Sequence, residues 1–103
     1  MRRAKVYIHG KEAGVLEESE KGSSCLFRYR DDYNDEPLSL TMPITQREYR
    51  FDDFPPFFDG LLPEGIMLEA LVRKLKIDRN DRFSQLVAVG NDLVGAVTVE
   101  EAK

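Results

Sequence analysis

The sequence PPFFDGLLPEG at residues 55–65 marks a change of character in this chain. Residues 51–65 hold four phenylalanines, three prolines and two leucines. In one interpretation, the phenylalanines cover the open end of a sheet and the prolines stiffen a loop. In the other, part of this apolar mass stays exposed as an anchor patch. Both can hold, with Phe57 and Phe58 inside and the residues at the entry to a following helix outside.

Before this segment the sequence has the period of two that is typical of half-buried strands. Residues 4–9 alternate between apolar and polar side chains, and a turn at residues 10–14 leads to a short returning strand at residues 15–17. The residues between 31 and 37 are dense in Asp, Asn and Pro, which favours a turn. The pattern therefore predicts strands at residues 4–9, 15–17, 25–30, 38–42 and, more briefly, 47–51.

After the segment the period becomes helical. Pro63 suits the first position of a helix, and the apolar spacing of residues 68, 71, 72 and 75 predicts one face buried in the core. Asp81 can cap a second short helix that ends at Gly90, and residues 93–99 follow as a last strand. We therefore expect an α+β fold, in which a small curved antiparallel sheet or partly open barrel has two helices packed at one side.

The bulk properties are those of one domain over residues 1–103. The formal net charge of −4 disfavours direct nucleic-acid binding, which needs a basic surface. No apolar run is long enough for a signal peptide or a membrane span. Cys25 is the only cysteine, so no internal disulfide can form, and a cytoplasmic location is the default expectation.

The residues offer little for catalysis. His9 and Cys25 are single and lie on separate predicted strands, and a zinc site needs about four suitable ligands. The acidic residues 31–36 imitate the start of a calcium loop, but Pro37 stands where that loop needs glycine, which favours a solvated turn. No phosphate-binding loop or kinase element is present. We expect no catalytic residue, no cofactor and no metal, and therefore no enzyme.

Three segments resemble the N-terminal region of the HipA family. Residues 55–65 are similar to its F-F-x-x-L-L-P-E-G signature, and PLSLTMP at residues 37–43 is similar to its P-L-S-x-x-x-P strand. Residues 81–97 resemble the later D-x-F-x-L-L-x-x-x-G-x-D-x-x-G-A-V stretch. The segments follow in the family's order and spacing, and the resemblance covers nearly the whole chain.

The resemblance implies a binding function. HipA toxins are serine/threonine kinases whose nucleotide and catalytic residues lie beyond this first subdomain, so kinase activity is not expected here. The chain resembles the stand-alone HipS members of split HipBST systems, which implies an antitoxin that binds the kinase HipT, with HipB as the DNA-binding partner. Two alternatives remain: a non-inhibitory structural subunit that completes the kinase or bridges it to a HipB-like protein, and a fragment of a full-length HipA toxin.

The partner-binding residues are expected at the entry to the first helix. Ile66 and Met67 precede the apolar stripe of that helix, methionine adapts well to a binding groove, and Gly65 allows close backbone approach. Free N–H groups at the helix start could also meet an acidic or phosphorylated group. The alternative is that Ile66 and Met67 are core residues. The expected contact set is Leu62, Pro63, Glu64, Gly65, Ile66 and Met67.

Overall fold

The fold is α+β, as expected, and its sheet stays open. A computed structural model describes residues 2–19, 24–93 and 95–102. Five antiparallel strands lie in the order β4-β3-β2-β1-β5 and do not close into a barrel. The elements in chain order are β1 Arg2–Ile8, β2 Lys11–Glu18, β3 Cys25–Tyr29, β4 Glu48–Phe51, α1 Pro56–Asp59, α2 Gly65–Leu75, α3 Arg82–Val89 and β5 Val97–Ala102.

The alternating strand patterns produce a sheet with one buried face. Val6 of β1 lies opposite Val99 of β5, and Leu16 of β2 lies opposite Phe27 of β3, so buried side chains stack across neighbouring strands. Phe58 from α1 packs against Phe27, with ring centroids 6.2 Å apart. The prediction that Phe57 and Phe58 lie inside is confirmed, since Phe58 is buried and Phe57 packs against the core.

The predicted strand at residues 38–42 is wrong. Among the described residues, this segment forms a tight turn with a single bridge between Ser39 and Met42. The Tyr29 hydroxyl accepts a hydrogen bond from the Leu38 N–H at 2.8 Å and donates one to the Met42 carbonyl, and both aliphatic side chains are buried. The apolar spacing therefore reflects two ends of a turn that close over one tyrosine, and Leu40 at the tip is 96% exposed.

The boundaries differ in further places. The predicted turn at residues 10–14 is wrong beyond Gly10, because β2 already begins at Lys11 and runs to Glu18. A third, four-residue helix, α1, begins at Pro56 and carries Phe58 into the core. Pro63 is not the first helical residue, because α2 begins at Gly65. The last strand begins at Val97, four residues later than predicted, and it continues to Ala102.

Helix α3 is fixed to the sheet by polar and close backbone contacts. The Asp81 side chain accepts a hydrogen bond from the Ser84 N–H, which confirms the predicted cap. Arg2 of β1 donates to Asp81 at 2.9 Å and to Glu18 of β2 at 2.8 Å. At the other end, a Cβ on Gly90 would lie 1.9 Å from a backbone oxygen of β5, so only glycine allows this approach.

Candidate protein-binding surface

Helix α2 is apolar but not buried. Seven of its eleven residues are Ile, Met, Leu, Ala or Val, yet none is buried and none belongs to the core or packs against it. The expected core face is therefore wrong: Leu71 is only half-buried, and Leu75 is 47% exposed. The periodicity identified the apolar side of the helix, but it carries no information about what covers that side.

The entry to α2 is open. Glu64 precedes the helix in an extended conformation, and its side chain makes no capping hydrogen bond. Gly65 has a φ of 58°, in the left-handed region that favours glycine, and a Cβ there would meet nothing within 4 Å. Gly65 thus allows the turn into the helix and leaves its backbone accessible to another chain.

Of the six predicted contact residues, the first two are partly buried and the other four are exposed. Leu62 packs against the core and Pro63 is half-buried, while Glu64 and Gly65 are exposed. Ile66 is 86% exposed and Met67 is 69% exposed. The alternative that these two are core residues is therefore wrong. The contact with a partner stays a prediction.

The far end of α2 is tied to the segment that leads to α3. Lys76 adopts the left-handed conformation at the C-cap and its N–H donates to the Val72 carbonyl. The Ile77 N–H donates to the same carbonyl at 3.2 Å, and Arg79 forms an ion pair with Glu69. The helix is thus fixed at its C-terminal end, while its entry and its most exposed side remain accessible.

Leu40 is an exposed apolar residue that the sequence analysis missed, because the alternation around it predicted a strand. The local sequence indicates a turn only through the flanking residues Ser39 and Thr41. In the structure their hydroxyl oxygens lie 3.0 Å apart across the turn.

The other reactive side chains are engaged or buried. Burial, together with the Glu18 carboxylate, raises the pKa of Cys25 to about 11, so the sulfur stays a thiol at neutral pH. His9 lies 2.9 Å from Glu36 at the surface. Within the described ranges, no three His, Cys, Asp or Glu residues are grouped so that they could hold a metal ion.

We assign no function to a further feature of the surface, a pocket beside β1. This shallow pocket of about 170 Å³ lies between β1, α3 and β5, but its one guanidinium, from Arg2, is engaged by Asp81. No helix in the described part of the chain is long and apolar enough to cross a membrane.

Comparison with known proteins identifies the domain. A family model described as the HipA N-terminal domain matches residues 4–100. An uncharacterized protein of Haemophilus influenzae is 36% identical over the whole chain and 95% of its own length. "Putative kinase Y4dM" of Sinorhizobium fredii is 29% identical over 95% of this chain, which spans only 26% of that protein. A solved N-terminal domain of HipA toxin superposes with a TM-score of 0.80 at 32% identity, covering 100% of this chain and 94% of that one. The chain therefore belongs to the HipA N-terminal domain family.

Proposed function

We propose that this chain is an antitoxin that binds and neutralises a HipA-like serine/threonine kinase of the HipT type. The observation that carries the proposal is the uncovered apolar helix α2. Helices that are apolar on most sides are normally buried, and an isolated helix of eleven residues is marginal in water. A partner that covers α2 would remove this exposed surface and would be bound through it.

The family relationship supports a kinase as that partner. In Y4dM the matching domain takes up about a quarter of a longer polypeptide described as a kinase. The surfaces of the domain can there contact the rest of the same polypeptide. In this proposal α2 makes an equivalent contact between two chains. A HipB-like protein supplies the DNA-binding function in the same complex, in line with the net charge of −4 on this chain.

One observation favours the alternative of a non-inhibitory subunit. The domain is part of Y4dM itself, so its presence beside a kinase need not inhibit that kinase. The same holds if the sequence is a piece of a full-length HipA toxin. Binding alone therefore does not separate the candidates, and a measurement of inhibition is needed.

A growth assay separates inhibition from assembly. The HipA-like kinase from the same genome is expressed alone and together with this chain, and growth is followed. The antitoxin proposal expects growth to be restored and autophosphorylation of the purified kinase to fall when the chain is added. A structural subunit would bind but leave both growth arrest and autophosphorylation unchanged or increased.

The contact is tested by Ile66→Asp and Met67→Asp, with Leu40→Asp as a matched control on an exposed leucine outside α2. Each α2 change is expected to weaken kinase binding by roughly 30-fold or more, as loss of an interface hot spot does. Thermal stability should stay near wild type, because both side chains are exposed and Asp is favourable in a first helical turn.

Calorimetric titration of each variant into the kinase, with circular-dichroism melting of the free domain, gives both readouts. Unchanged binding in well-folded α2 variants contradicts the contact. Loss of binding by the Leu40 variant alone would place the interface at the 38–42 turn instead.

A further inference from the structure

The most exposed side of α2 combines apolar and basic residues. At 100° per residue, Ile66, Ala70 and Arg73 project from the same side of the helix, with Met67 and Lys74 beside them. All five are exposed, whereas Leu68, Leu71 and Val72 on the opposite side are half-buried. The exposed side, residues 66, 67, 70, 73 and 74, is called the outer face of α2 below.

Within the described residues, the cations at the end of this face form no ion pair, although the Glu69 carboxylate lies close enough to Arg73 for the two charges to interact. In the described part of the chain, Arg73 and Lys74 make no ion pair, and neither does Lys76 just beyond them. Most other basic residues are paired, namely Arg2, Arg3, Lys11, Arg28, Arg30, Arg79 and Arg82. Residues 73–79 contain four basic side chains and one acidic one, although the chain as a whole is acidic. Three of these cations, Arg73, Lys74 and Lys76, thus lie together outside any ion pair of the described residues, whereas the fourth, Arg79, is paired with Glu69.

We infer that the outer face of α2 docks into a groove on a partner protein that has an apolar pocket at one end and a cluster of carboxylates about 10 Å further along. The spacing follows from the helix, since seven residues at 1.5 Å each separate Ile66 from Arg73. Ala70 lies between them, and its small side chain allows the wall of the groove to approach closely. The inference rests on the proposed function, which makes the HipA-like kinase the partner.

The mixed character of the face favours an acidic protein over a nucleic acid. Phosphate binding needs cations, but it does not need an isoleucine that is 86% exposed in line with them. The acidic remainder of the chain would also repel a phosphate backbone. An acidic protein groove satisfies both ends of the face, and its field would speed association at low ionic strength.

The test compares two double variants that each remove two unpaired cations. Arg73→Gln with Lys74→Gln alters the outer face, and Lys5→Gln with Arg50→Gln makes the same change of charge on the sheet. Binding to the purified kinase is followed by stopped flow from 20 to 500 mM salt. We expect the α2 pair to lower the association rate constant about fivefold at low salt and to flatten its salt dependence, with the sheet pair within about twofold of wild type.

Each other outcome overturns a stated part. If the wild-type chain does not bind the kinase, the proposed function and this inference both fail. If the wild type binds and both double variants bind alike, the inference alone fails, because the kinase then contacts another surface. Binding of a 20-base-pair DNA duplex that the α2 pair abolishes would assign the cations to phosphate contacts instead.

Discussion

At the scale of single residues, the best-defined polar feature is the cluster formed by Arg2, Glu18, Asp81 and Ser84. The Asp81 carboxylate lies 2.7 Å from the Ser84 hydroxyl and 2.9 Å from the Arg2 guanidinium. Burial alone would raise the pKa of Asp81, but these hydrogen bonds favour the charged form and lower it to about 2. The Arg2 guanidinium also lies 4.8 Å from the centroid of Phe83. The cluster therefore joins β1 and β2 to the start of α3.

This cluster makes stability depend on pH. Because the pKa of Asp81 is lowered on folding, its contribution is complete above about pH 4 and is lost as pH falls toward 2. Asp81→Asn keeps a capping side chain but removes the charge, so we expect a loss on the order of 2 kcal/mol at pH 7. Urea unfolding between pH 7 and pH 2 should show the difference from wild type shrinking as the pH falls.

The exposed Asp92 provides the control, and Asp92→Asn should follow wild type at every pH. A difference for Asp81→Asn that stays constant down to pH 2 would show that the charge of Asp81 does not stabilise the fold.

At the scale of elements, α2 and α3 have similar apolar spacing and different environments. In α3 the cap at Asp81, the buried Phe83 and Leu86 and the stop at Gly90 were all predictable, because the cap and the stop are encoded beside the stripe. In α2 the stripe was equally clear, but it is not covered within this chain. The local sequence pattern therefore predicted that both helices form, but it could not predict which of them packs into the core.

The strands show the same limit. The alternating pattern located β1 and β3 closely, because every second side chain of these strands lies on the buried face of the sheet. The alternation failed at residues 38–42. The backbone of Leu38 and Met42 is positioned there by hydrogen bonds to the Tyr29 hydroxyl, and an alternating pattern does not encode such a contact. The candidate contact residues 62–67 were found from their chemistry, but only the structure distinguishes the exposed Ile66 from the packed Leu62.

A matched pair of leucine truncations measures the difference between the helices. Leu86→Ala in α3 should cost about 2–5 kcal/mol, since this side chain is fully buried. Leu71→Ala in α2 should cost less than about 1.5 kcal/mol, because Leu71 is half-buried outside the core and alanine favours the helix. Denaturant unfolding of both variants gives the two values. Equal losses would mean that α2 packs into the core.

At the scale of the whole molecule, the polar surfaces are largely satisfied within the chain. On the open side of the sheet, Arg28 pairs with Glu48 at 2.8 Å, and Arg30 pairs with Glu12 at 3.1 Å. The other side of the sheet is filled by the core. Among the residues that the structure describes, four large apolar side chains are exposed; three of them belong to α2, and the fourth is Leu40. The exposed apolar surface is therefore concentrated on one helix.

This asymmetry predicts where the free domain is least protected. Backbone amides of β1 and β2, which lie inside the sheet, should exchange with solvent only on global unfolding. Amides of α2 should exchange far faster, because the helix has no buried side chain to hold it closed. Binding to the kinase should slow exchange across residues 65–75 and leave the strands nearly unchanged, since the strands are already protected. Hydrogen–deuterium exchange of the domain, free and in complex, measures this directly. Strand-like protection of α2 in the free domain would show that the helix is part of the cooperative core and needs no partner, and slowed exchange elsewhere on binding would move the interface away from α2.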